Sequence, residues 1–159
     1  GYFKITDRKK DLLVTSGGKN IAPQPIENLL KTSPYITNAV VIGDRRRFVA
    51  ALVVPDYDKL KDYAKVHGIA FASIEELCKD KRIVDFFKAE TDRATPLLAS
   101  YERVKKIVIL PRDFDIERGE ITPSLKVRRA NVTAEYQEAI DALYREDAES
   151  GRDDGGNDG

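Results

Sequence analysis

Two uninterrupted apolar runs, Ala39 to Ile42 and Phe48 to Val54, are separated only by Gly43, Asp44, Arg45, Arg46 and Arg47. Short apolar runs bounded by turn chemistry read as buried strands, and this spacing folds them into an antiparallel hairpin at the centre of a sheet. Around that pair the periodicity changes. After Pro23 and Pro25, residues Ile26, Leu29 and Leu30 recur at helical spacing, with proline confined to a first turn and a stop near Ser33 and Pro34. Tyr57, Leu60, Ala64 and His67 share a helical face up to Gly68, and Ser73 with Glu76 forms a capping box ahead of Ile74, Leu77 and Cys78. Ile83, Phe86 and Phe87 mark a further helix, Val104 to Leu110 a strand stopped by Pro111, and Tyr136, Ala139, Ile140, Leu143 and Tyr144 one side of a last helix.

At the beginning, Leu12 to Val14, the turn residues Ser16, Gly17 and Gly18, and the return through Lys19 to Ile21 read as a β-hairpin behind a charged break at residues 7–11. The expected fold class is α+β: a small sheet with flanking helices and an N-terminal β-hairpin. One domain is expected over residues 1–145. Residues 146–159, rich in Gly and Asp, cannot offset their own ordering entropy and are expected to form a flexible acidic tail.

Lys plus Arg total 27 and Asp plus Glu total 27, so the summed field offers no general attraction for nucleic acid or acidic lipid. A single Cys makes no internal disulfide, and no stretch approaches the roughly 18 apolar residues of a membrane span. A cytoplasmic setting is expected. The chain opens at Gly1, directly in strand-like alternation, and contains no Met, which reads as a fragment.

Candidate chemistry is sparse. His67 is the only histidine, so no Ser/His/Asp set and no metal cluster is proposed; it reads as structural or exposed. Cys78 falls at a core-facing helical position. Ser16 to Lys19 lacks the GxxxxGK[ST] spacing of a phosphate loop and reads as a hairpin turn needing positive φ. Arg45 to Arg47 form either a solvated hairpin tip or a phosphate contact. Between Glu117 and Arg129, Gly119 and Pro123 mark an exposed loop carrying Lys126, which taken alone is either a solvated lysine or a cation suited to phosphate oxygens.

Three segments taken together, GYFKITDRKKDLLVTSGGKNIAPQPIE at 1–27, AVVIGDRRRFVAALVVPD at 39–56 and GEITPSLKVRR at 119–129, resemble in order and spacing the C-terminal domain of the acyl-adenylate-forming enzymes. The long-chain fatty acid:CoA ligases resemble it most closely, also through LASYERVKKIVILP at 98–111. The resemblance implies a small mobile lobe, hinged near residues 7–11, that works against a large N-terminal adenylation domain. It implies ATP, CoA and Mg²⁺ in the full-length enzyme, none held tightly by this lobe, and a fatty acid as the second substrate.

The resemblance also implies residue roles. Lys126 is similar to the lysine that bridges carboxylate and α-phosphate oxygens during adenylation, and Arg8 to the arginine near the nucleotide ribose. Lys10 matches the hinge position. Ser16, Gly17 and Gly18 match the loop past which the pantetheine arm runs, the absent side chain at Gly17 permitting close approach; Lys19 sits where some relatives meet a CoA phosphate. This chain alone is expected to be inactive. The alternatives are another adenylate-forming enzyme, such as an aryl or medium-chain CoA ligase or an acyl-AMP ligase, and a non-catalytic interaction module. Long-chain members often work at membrane surfaces, and the sequence leaves membrane attachment open.

Overall fold

A computed structural model describes residues 12–146. Arg8, Lys10, the expected hinge and nearly all of the acidic tail therefore lie outside the described residues. The chain divides into two compact units, one ending at Asp113 and one beginning at Phe114.

The first unit is built on the expected apolar runs. Strands β1 (Leu13–Val14) and β2 (Asn20–Ile21) pair antiparallel, Leu13 opposite Ile21. Helix α1 (Pro23–Leu30) follows with proline in its first turn, burying Ile26 and Leu30. Strands β3 (Ile36–Ile42) and β4 (Val49–Pro55) then pair antiparallel, with Val40 opposite Leu52.

The sheet order is β3-β4-β5, where β5 (Val104–Ile109) runs parallel to β4, so the sheet is mixed. A parallel neighbour requires a crossover, and α2 (Tyr57–Val66), α3 (Ile74–Lys79) and α4 (Lys81–Ala94) occupy it. Every residue of the central strand β4 is buried, the physical reason its sequence is continuously apolar. Val49, Ala51 and Val53 join Ile26, Leu30, Leu60, Leu77, Ile83 and Phe87 in one core cluster.

Edges and helix ends are satisfied locally. The Val41 N–H on edge strand β3 donates to Glu27 Oε2 at 2.7 Å, which ties α1 to the sheet. The Glu76 N–H donates to Ser73 Oγ at 3.2 Å, but the Glu76 carboxylate accepts from the Ala72 N–H, one residue earlier than a full capping box requires. Ser33 Oγ donates to the buried Glu90 carboxylate at 2.8 Å, and Arg93 approaches the other oxygen at 3.3 Å. Cys78 is buried as expected, and loss of hydration with a nearby Glu75 carboxylate pushes its thiol pKa up to about 11. His67 caps the end of α2 exposed to solvent, its ring stacked on Tyr63 with centroids 4.0 Å apart.

The second unit contains a loop, an antiparallel bridge between Ile121 and Val127, helix α5 (Arg129–Glu135) and a further helical stretch at residues 137–146. The last helix predicted from periodicity is present at residues 137–146, and Tyr136, where the backbone leaves helical geometry with φ −106° and ψ 22°, separates it from α5 rather than belonging to it. Val132, Ile140 and Tyr144 are buried.

Candidate functional site

The segment Thr15 to Lys19 forms a tight turn closing the β1–β2 hairpin. The Gly18 N–H donates to Thr15 O at 2.9 Å, the Thr15 N–H to Lys19 O at 3.0 Å, and the Lys19 N–H to Thr15 Oγ1 at 3.2 Å. Only one of the two glycines is demanded by the backbone. Gly18 has φ +84°, whereas Gly17 has no left-handed φ and a Cβ placed there would meet only Thr15 Oγ1, at 4.0 Å. Ser16, Gly17, Gly18 and Lys19 are all exposed, and the Lys19 ammonium lies 5.2 Å from the centroid of the Tyr101 ring.

The basic hairpin tip is fastened to this turn. The Val14 N–H donates to Asp44 Oδ1 at 3.0 Å, the Arg45 N–H to Val14 O at 2.7 Å and the Ser16 N–H to Arg46 O at 2.8 Å. Arg45 adopts φ 61°, which for a residue with a Cβ costs about 1–2 kcal/mol. The hydrogen bonds that hold residues 14–16 against residues 44–46 offset that strain. Charge at Arg45 to Arg47 thus stands on a loop that also fixes the backbone of the Ser16 to Gly18 turn, a connection the sequence reading missed.

In the second unit, Lys126 ends a turn of the same design. The Leu125 N–H donates to Thr122 O at 2.7 Å, the Thr122 N–H to Lys126 O at 2.8 Å, and the Lys126 N–H to Thr122 Oγ1 at 2.9 Å. Each turn is a three-residue hairpin loop, with threonine before it, lysine after it and a left-handed residue in its last position. The signal available in the sequence was the repeated Thr-x-x-x-Lys, TSGGK at 15–19 and TPSLK at 122–126. In the second turn, the left-handed residue is Leu125, with φ 67°.

The base of the Lys126 turn is anchored from several directions. The Arg128 N–H donates to Glu120 O at 2.8 Å, and the buried Glu120 carboxylate accepts the Asp115 N–H at 2.9 Å. Arg118 lies 3.6 Å from both Asp115 and Glu135. Gly119, at φ +74°, accepts from Asn131 Nδ2 through its carbonyl at 2.6 Å, and a Cβ there would crowd that amide at 3.1 Å. Lys126 itself is exposed, and its ammonium has no hydrogen-bond or ion-pair partner among the described residues. The result is a fixed backbone carrying an available cation.

The described residues bring together no group of three or more His, Cys, Asp or Glu side chains suited to a metal ion. No helix among them is long and apolar enough to cross a membrane.

A small mixed sheet with flanking helices is the architecture of a known class. Residues 10–148 match the model of the AMP-binding enzyme C-terminal domain, and the chain belongs to that family. It is 35% identical over 148 residues to long-chain-fatty-acid–CoA ligase FadD15 of Mycobacterium tuberculosis, which covers 92% of the chain and 25% of that protein. Against mouse long-chain-fatty-acid–CoA ligase 5 the identity is 36% over 147 residues, covering 91% of the chain and 21% of the relative. The chain thus spans about a quarter or less of the length of these relatives. Among solved structures, the A domain of carboxylic acid reductase from Segniliparus rugosus, in complex with AMP and a co-purified carboxylic acid, is similar at TM-score 0.72 and 26% identity. That likeness covers 87% of this chain and 20% of the reductase chain.

Proposed function

We propose that this chain is the mobile C-terminal lobe of a long-chain fatty acid:CoA ligase, inactive alone, that completes two half-reactions at a large adenylation domain. In the first, a carboxylate oxygen attacks the α-phosphorus of ATP and pyrophosphate leaves, giving acyl-AMP. In the second, the CoA sulfur attacks the acyl carbon and AMP leaves. Lys126 serves the first step, its ammonium neutralising carboxylate and α-phosphate oxygens as negative charge gathers between them.

The observation that carries this reading is the exposed ammonium of Lys126, unpaired among the described residues, on a turn whose own backbone is held by Thr122. A cation with no partner among the described residues gives up none of their contacts when it is delivered to another surface. The Ser16 to Gly18 turn serves the second step. Since the backbone does not require glycine at position 17, the missing side chain there is explained by a thiol arm passing close to the loop. Arg8 at the ribose, Lys10 as hinge and Lys19 toward a CoA phosphate complete the reading.

The test is Lys126→Ala in the full-length ligase. ATP–pyrophosphate exchange should fall by at least about two orders of magnitude, the scale of losing one preorganised charge-stabilising group. Thioester formation from supplied acyl-AMP should survive. Equal loss of both half-reactions would remove Lys126 from this role, and a reaction that proceeds to acyl-AMP but never uses CoA would favour an acyl-AMP ligase.

A further inference from the structure

The two Lys-ended turns provide an internal comparison. Both close with the same backbone bonds and the same threonine side-chain acceptor, and both place a left-handed residue immediately before the lysine. The first turn meets the left-handed requirement with Gly18, the residue that adopts it without strain. The Lys126 turn instead uses Leu125, a γ-branched apolar residue with a strained backbone. Nor does packing within the unit account for it, because Leu125 remains 71% exposed. Glycine would satisfy this turn better on both counts. Its leucine therefore requires an explanation outside the turn.

We infer that Leu125 is a positioning residue for Lys126: its side chain is buried against the large adenylation domain when the turn docks, and this contact sets where the neighbouring ammonium comes to rest. The inference rests on the reading of Lys126 given above. The Lys126 backbone is bonded through both its N–H and its C=O to Thr122, so turn and lysine move as one body, and seating the adjacent residue seats the lysine. An exposed apolar side chain beside the reactive cation also has the chemistry to exclude water from the charges that Lys126 approaches.

The test compares Leu125→Gly, Leu125→Met and Lys126→Ala. In this chain, Leu125→Gly should raise the melting temperature by about 2–4 °C, since the roughly 1–2 kcal/mol of left-handed strain that disappears exceeds the roughly 0.4–1 kcal/mol of chain freedom that glycine adds to the unfolded state. In the full-length ligase the same substitution should lower ATP–pyrophosphate exchange by about tenfold or more, the factor expected when a leucine contact is not buried on docking. Thioester formation from supplied acyl-AMP should be unchanged, and Leu125→Met should restore exchange to within about twofold because it conserves apolar volume. A stabilised lobe with a selectively impaired first step is a combination no merely structural role produces. Wild-type exchange in Leu125→Gly, equal damage to both half-reactions, or a lowered melting temperature would each overturn the inference. Should Lys126→Ala leave exchange intact, the underlying assignment of Lys126 fails instead, whatever Leu125 does.

Discussion

Separate substitutions at Gly17 and Gly18 should move stability in opposite directions, though the two residues are adjacent and equally exposed to casual inspection. At Gly18, φ +84° places any Cβ in the left-handed region, a cost of about 1–2 kcal/mol that the smaller unfolded-state entropy of alanine recovers only by about 0.4–1 kcal/mol. Gly18→Ala should therefore lose roughly 1 kcal/mol. At Gly17 there is no left-handed φ and the nearest atom to a new Cβ is Thr15 Oγ1 at 4.0 Å, ordinary van der Waals contact. Only the entropy term remains, and Gly17→Ala should gain about 0.4–1 kcal/mol. Urea unfolding of this chain, followed by far-ultraviolet circular dichroism, separates the two variants if the slopes stay equal and the midpoints diverge. Function should divide the other way. Gly17→Leu in the full-length ligase should leave stability and ATP–pyrophosphate exchange near wild type, yet slow acyl transfer to CoA by at least about tenfold through obstruction of the thiol arm. A destabilised Gly17→Ala would refute the geometric account, and normal acyl transfer by Gly17→Leu would refute the role assigned to the turn.

Asp44→Ala removes the acceptor of the Val14 N–H and should cost about 0.5–1.5 kcal/mol, with amide-exchange protection lost first at Val14 and Ser16, where the two loops are joined. Normal protection at Val14 in that variant would show the loops are held by other means. For Cys78, the folded thiol pKa of about 11 lies above the unfolded 9.0, so between those values the unfolded chain binds fewer protons. The stabilisation present below about pH 9 should decline as pH rises through 11, by up to about 2–3 kcal/mol. Native alkylation of Cys78 at pH 8 should also run at least about tenfold slower than in urea, and comparable rates would contradict its burial.

Local pattern made much of this molecule readable in advance. Continuous apolar runs specified β4 and residues 39–42 of β3 because a strand stretch covered on both faces has no polar position to reveal, whereas the start of β3 at Ile36, Thr37 and Asn38 carried no such run. Pro23 with Ile26 and Leu30 specified α1 because a helix records its buried face every third or fourth residue. The GEITPSLKVRR segment marked Lys126 through residue types that shape an exposed turn. Other features had no local signature. That β5 lies parallel beside β4, across a crossover of three helices, depends on backbone pairing between residues some fifty positions apart, which any apolar strand could have supplied. The joining of residues 14–16 to 44–46 depends on N–H and C=O groups that every residue carries alike. Leu125 is the sharpest case, since its letter predicts an ordinary core or helix residue. Its strained φ accompanies a turn that Thr122, from the opposite side, closes by bonding to Leu125 and Lys126.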